Sequence, residues 1–298
     1  MTRSLFYPLL IAGLFLAGAA HAASEPAWVD SKEYKVLLDP SRFAGNPQSA
    51  AGALLQSLAT RLEQLAFDKP IDGSFVTDGD DMVIYYDTPG RCLLQNNGYS
   101  LRLREGGNSG AQFKYRHPDA ELAADIDVSS AGASAKTKLE TDISPGSVVY
   151  SHSTSQELAS TAPATIRDVI AQFPSAAVFS AEAALTVVPV NGLHIHQQEY
   201  AGPSADLGKS KARLTLSLWY LGTHPAPSLV ELSFKIKADS EFYFTSSVLR
   251  RSQTLMQAMT TLPPWTLSPS TTKTAWLYSY RSSSYPGGFC LPEARPIR

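Results

Sequence analysis

Segment after segment of this chain carries charge on one side of an extended strand and apolar or aromatic side chains on the other. Successive side chains of a strand point to opposite faces. Glu33 and Lys35 therefore share a face, as do Arg102 and Arg104, and Lys114 and Arg116. So do Lys138, Glu140 and Asp142, and likewise Glu231, Lys235 and Lys237 with Ser233 between them. The opposite faces carry Tyr34 and Val36, Leu101 and Leu103, Phe113 and Tyr115, and Leu232, Phe234 and Ile236. For any single strand, a polar face in water accounts for the pattern. A closed barrel with a charged lumen and helices against its outside would use both faces of all of them.

The rest of the chain supplies such helices. Asn46-Pro47 is a helix start, with Asn46 as cap and Pro47 in the first turn. Leu54, Leu55, Leu58, Leu62 and Leu65 then give one apolar face. Thr165–Phe173 reads as a short helix stopped by Pro174, and Ser246–Leu262 as a longer one stopped by Pro263-Pro264. Strands are expected at 33–38, 82–86, 99–105, 111–116, 135–143, 184–190, 192–200, 212–220 and 229–238, with Gly- and Pro-rich turns between several of them. Residues 145–164 are weakly patterned, and the segment from Ser268 onwards is a Ser- and Thr-rich tail.

The chain opens with a leader. A short positive region at Arg3 precedes an apolar run from Leu5 to Ala20, and Ala20-His21-Ala22 offers small residues for cleavage. The competing reading is a membrane anchor, but the run is short for a span of ~20 residues and holds Pro8. Residues 1–22 are thus expected to be a signal peptide, 23–262 the folded domain and 263–298 a tail packed on it. The mature chain is expected in the periplasm or outside the cell, with no membrane span. The two cysteines, Cys92 and Cys290, are too far apart in sequence for a CxxC pair; after export a bridge between them is the expectation, and two buried thiols the alternative.

With 25 Lys and Arg against 27 Asp and Glu, the net charge is −2, which gives no support for bulk nucleic-acid binding. Any anion site must be a local cluster. Arg suits phosphate oxygens through its fixed fork of donors, and carboxylates suit a hard cation such as Mg²⁺ or Mn²⁺. No Gly-x-Ser-x-Gly elbow is present. Gly106–Gly110 lacks the Gly-Lys-Ser/Thr of a phosphate loop.

The stretch Tyr85-Tyr86-Asp87-Thr88-Pro89-Gly90, followed by Gly98-Tyr99-Ser100-Leu101-Arg102-Leu103-Arg104-Glu105, resembles the segment shared by CYTH proteins, the triphosphate tunnel superfamily. Around it, Glu33-x-Lys35, Lys114, Lys138-x-Glu140-x-Asp142 and Glu231 fall in the family's order. The resemblance implies an α+β fold, an antiparallel eight-stranded barrel, or tunnel, with flanking helices. It implies a phosphorylated anion or polyphosphate as ligand, gripped by Lys35, Arg102, Arg104, Lys114, Arg116 and Lys138. Glu33, Glu140, Asp142 and Glu231 would orient water, and Glu140, Asp142 and Glu231 would hold Mg²⁺ or Mn²⁺.

Ser31 and Ser233 stand where the family has further carboxylates, and His194 and His196 where it tends to have bases. These departures leave three functions open: a metal-dependent phosphohydrolase, a binding module without turnover, and a structural exported barrel. An outer-membrane barrel is the competing fold.

Overall fold

The charged-inside arrangement is realised by a barrel of nine strands. The structure is a computed structural model and describes residues 29–107, 109–157, 162–238, 244–267 and 271–290. The signal peptide expected at 1–22 lies outside the described residues. The strands are β1 (Ser31–Leu38), β2 (Val76–Asp87), β3 (Tyr99–Gly106), β4 (Gly110–His117), β5 (Lys136–Ser144) and β6 (Ser147–Gln156), then β7 (Val188–Pro189), β8 (Ile195–Asp206), β9 (Lys211–Leu221) and β10 (Leu229–Lys237). They run in the order β3-β4-β6-β5-β1-β10-β9-β8-β2, and β2 pairs with β3 to close the ring; the two-residue β7 adds to the end of β2.

The expectation of eight antiparallel strands needs correcting. There are nine, and β1 pairs with β5 in parallel, placing Ser31 beside Glu140 and Glu33 beside Asp142. The extra strand is β6, from the segment read as weakly patterned. Its lumen side carries Ser147, Ser151, Ser153 and Ser155, small polar residues that break the charged-against-greasy signature, yet it pairs along its length with both β4 and β5. The strand expected at 184–190 shrinks to Val188–Pro189. Pro189 has no N–H to extend a ladder, and the residues before it wind through a 3-10 segment at Pro174–Glu182.

The greasy faces point outwards under helices. Helix α1 (Pro47–Gln64) starts where Asn46 accepts the Ser49 N–H at 3.0 Å, and it buries Leu54, Leu55, Leu58 and Leu62. After the short helices α2 (Leu93–Asn96), α3 (Ala120–Asp125) and α4 (Ile166–Gln172) comes α5 (Ser246–Thr260), capped by Thr245. Helices α1 and α5 cover Tyr34, Val36, Leu214, Leu216, Leu232, Phe234 and Ile236 in one cluster. Helix α4 opens with a Thr165–Asp168 capping box. With the turns that follow, it covers Ile84, Leu101, Leu103 and Phe113 through Ile166, Val169, Phe173 and Phe179. Each such buried side chain contributes about 1.5–3 kcal/mol, so the barrel and its helices stabilise one another.

The Ser- and Thr-rich tail is more ordered than its composition implies. It forms helix α6 (Lys273–Ser279), capped by Thr272. Leu277, Tyr278 and Phe289 pack with Leu37, Val83, Tyr85, Ile195, Trp219 and Leu229. On β1, Leu37 has the same side as Glu33 and Lys35, so this cluster fills one end of the barrel from within. The Cys92–Cys290 bridge is formed, with Cα atoms 5.4 Å apart, and it ties the tail beside that end. Among the described residues, no helix is long and apolar enough to cross a membrane.

Candidate functional site

A cavity of about 1390 Å³ takes in the lumen and its mouth beside α5, and every residue assigned from sequence to phosphate or metal lines it: Glu33, Lys35, Arg102, Arg104, Lys114, Arg116, Lys138, Glu140, Asp142 and Glu231. They arrive from β1, β3, β4, β5 and β10, because alternation puts each inward. Lys209, Lys211, Arg213, Lys235, Lys237 and Lys273 join them, with Glu199 as a fifth carboxylate. Twelve Lys and Arg therefore surround the cavity against five Asp and Glu. In a chain of net charge −2, the basic surplus is concentrated here.

The carboxylates are held by ammonium groups. Glu140, only 1% exposed, receives Lys235 at 2.6 Å and Lys138 at 2.7 Å, and the Ser31 hydroxyl donates to it at 2.8 Å. Asp142 receives Lys35 at 2.8 Å, with Arg116 and Lys114 at 3.7 and 3.9 Å. Glu33 also binds Lys35, at 2.9 Å. Glu231 receives Lys273 at 2.9 Å. Burial alone would raise these acids, but the surrounding cations outweigh it and hold Glu33, Glu140 and Asp142 below the ordinary carboxylate range. Lys35 is raised in return, because Glu33 and Asp142 outweigh its burial.

Lys114 and Tyr85 are shifted by burial and by the cations around them. Burial pushes the Lys114 ammonium down to about 7, and neighbouring Arg116 and Lys35 oppose the pull of Asp142. The Tyr85 phenol is buried, which would raise it, yet Arg102, Lys273 and Arg116 bring it below its ordinary value. Arg102 is the first of these cations and forms no ion pair within 4.0 Å among the described residues. Arg104 sits 3.6 Å from Asp81 and 4.0 Å from Glu199. Lys211 and Arg213 are exposed on β9 at the cavity's edge.

The fit of a divalent cation follows from the same geometry. Among the described residues, no three of His, Cys, Asp and Glu are grouped as metal donors. Glu140, Asp142 and Glu231, expected to hold the metal, each already have a lysine within 2.9 Å. This donor set suits a counter-ion role better than cation ligation. His194 and His196 do not line the cavity; His196 pairs with Asp80.

Lys273 was not legible as a site residue. It lies in the tail, and its one local signal is the Thr272 cap before the apolar run Trp276-Leu277-Tyr278. Lys235 shares the inward face of Glu231, and that alternation marks it. Comparison with family models found no match, and comparison with curated proteins found none either.

Proposed function

We propose that this chain binds a phosphorylated polyanion, a triphosphate, polyphosphate or related phosphate ester, inside the barrel. The observation that carries the reading is the excess of twelve Lys and Arg over five carboxylates around one cavity in a chain of net charge −2. A partly desolvated lumen strengthens attraction to an anion that water would screen. Arg102, Lys114 and Arg116 are the groups best placed to take phosphate oxygens, since Arg102 has no carboxylate partner among the described residues and Lys114 and Arg116 stand off Asp142 by more than 3.5 Å. We read the chain as a divergent, exported relative of the triphosphate tunnel superfamily, with the leader at 1–22 and the Cys92–Cys290 bridge supporting the periplasm or the exterior as its place.

A second reading is turnover. Glu140 and Asp142 alternate on the lumen face of β5, with Glu33 on the adjacent β1 and Glu231 on β10 beyond it, where they would orient water on a bound phosphate. The chain from residue 23, incubated with tripolyphosphate, long polyphosphate and ATP, with Mg²⁺ or Mn²⁺ and with EDTA, separates the readings. Binding without phosphate release supports a binding module. Release abolished by EDTA supports a metal-dependent phosphohydrolase. Neither binding nor release leaves a structural barrel.

A further inference from the structure

The tail contributes a charge to the lumen that no strand supplies. Lys273, the first residue of α6, places its Nζ 2.9 Å from Glu231 and 3.4 Å from the Ser217 hydroxyl, and 5.3 Å from the centre of the Trp219 ring. Glu231 is 4% exposed. The tail is held there at three points: Tyr278 donates to Asp87 at 2.8 Å, Asn191 donates to the Leu277 carbonyl at 2.7 Å, and, beyond the helix, the Gly90 N–H donates to the Phe289 carbonyl at 2.8 Å beside the bridge.

We propose that Lys273 is the resident counter-cation of Glu231, so that the lumen holds its anion without a divalent metal. The inference rests on the anion-binding reading above. A carboxylate buried in an anion site repels the ligand unless something neutralises it. A divalent cation would serve. Here the same carboxylate already has an ammonium group seated on it from a helix that is not part of the barrel wall, and Glu140 and Asp142 have theirs from Lys235, Lys138 and Lys35. The site is neutralised by protein alone, and the surplus cations remain for the ligand. Lys273 is thus a positioning residue: it acts on the anion through Glu231.

Charge arithmetic separates this role from a structural one. In Lys273→Met, Glu231 becomes an uncompensated negative charge facing the ligand. Tripolyphosphate affinity in EDTA should fall by about tenfold or more, as expected for breaking a close charge pair. Mg²⁺ should restore much of the loss in this variant, because a cation can now sit on Glu231, and Mn²⁺ binding should appear in its electron paramagnetic resonance spectrum. In the double variant Lys273→Met with Glu231→Gln, both charges are gone. Its affinity in EDTA should return to within about threefold of wild type, the ordinary scatter of context for such effects.

The experiment is calorimetric titration of tripolyphosphate into the oxidised wild-type chain and both variants, in EDTA and in Mg²⁺, with the disulfide and the circular dichroism spectrum checked in each. Wild-type binding that persists in EDTA, with a gain in Mg²⁺ for the single variant beyond the change that Mg²⁺ binding to tripolyphosphate itself produces in the wild type, supports the proposal. Wild-type binding that vanishes in EDTA overturns it while leaving anion binding intact. A double variant as weak as the single one also overturns it, assigning Lys273 to direct contact or to folding. No wild-type binding in either buffer overturns the anion-binding reading itself.

Discussion

The phenol of Tyr278 in α6 donates to the carboxylate of Asp87 at the end of β2, across 2.8 Å and 191 residues of sequence. Asp87 also accepts the N–H groups of Thr88, Leu94 and Gln95, at 2.7, 2.9 and 3.0 Å. One buried carboxylate thus fixes the turn after β2, opens α2 and seats the tail. Burial pushes the Asp87 carboxyl up, against the pull of these four donors. Tyr278→Phe removes one hydrogen bond to this group and should cost about 1.5–3 kcal/mol in urea unfolding. Amide exchange should rise first within α6. An unchanged midpoint would mean that packing alone holds the helix.

The Cys92–Cys290 bridge closes a loop with a sequence separation of 198. The chain-entropy account gives about 5 kcal/mol for such a loop as an upper figure. The barrel has its own two outer cores. Reduction should therefore lower the melting temperature and expose residues 271–290 to limited proteolysis before the barrel strands become cleavable. Simultaneous loss of tail and barrel would show that they fold as one unit.

Arg102 and Arg104 alternate on one face of β3, but their surroundings differ. Arg102 lowers the Tyr85 phenol and has no carboxylate within 4.0 Å among the described residues, whereas Arg104 lies near Asp81 and Glu199. Arg102→Ala should weaken tripolyphosphate binding by roughly tenfold to a hundredfold, a charge-assisted hydrogen bond's worth. The apo protein should melt no lower, because like-charge repulsion is relieved. Arg104→Ala should weaken binding less, since its charge is already shared with Asp81 and Glu199. Equal losses of affinity in the two variants would contradict the distinction.

Lys114 gives the pH dependence a direction. Its pKa in the fold is about 7, below the ordinary lysine value of ~10.4. Below pH 7 it is charged in both states and its burial opposes folding in full. Between pH 7 and 9 the folded chain releases a proton that the unfolded chain keeps, so stability rises with pH by at most about 1.4 kcal/mol per unit from this group. Lys114→Met should flatten that limb. A bound anion favours the charged form, so binding should take up protons and weaken above pH 7 in the wild type more than in the variant. Identical pH profiles would remove Lys114 from the site.

How far the sequence discloses this architecture depends on where the signal is local. The inward pairs Arg102 and Arg104, Lys114 and Arg116, and Glu140 and Asp142 are legible because each alternates with bulky outward residues on its own strand. Strand β6 is not, since serines line its lumen side and contribute no contrast. The parallel pairing of β1 with β5 is set by strands about a hundred residues apart, and no pattern within either one specifies it. Lys273 is hidden for a related reason. Its partner Glu231 is brought near by the closed barrel and by tail contacts to Asp87 and Cys92, none of which is written near Lys273 itself.

The central claim is that the lumen holds a phosphorylated anion, and a crystal structure of the oxidised chain with tripolyphosphate tests it most directly. The account predicts the anion inside the barrel, its oxygens on Arg102, Lys114 and Arg116, with Lys273 still on Glu231. A lumen containing only water at saturating tripolyphosphate, or the anion bound solely on the outer surface, would contradict it.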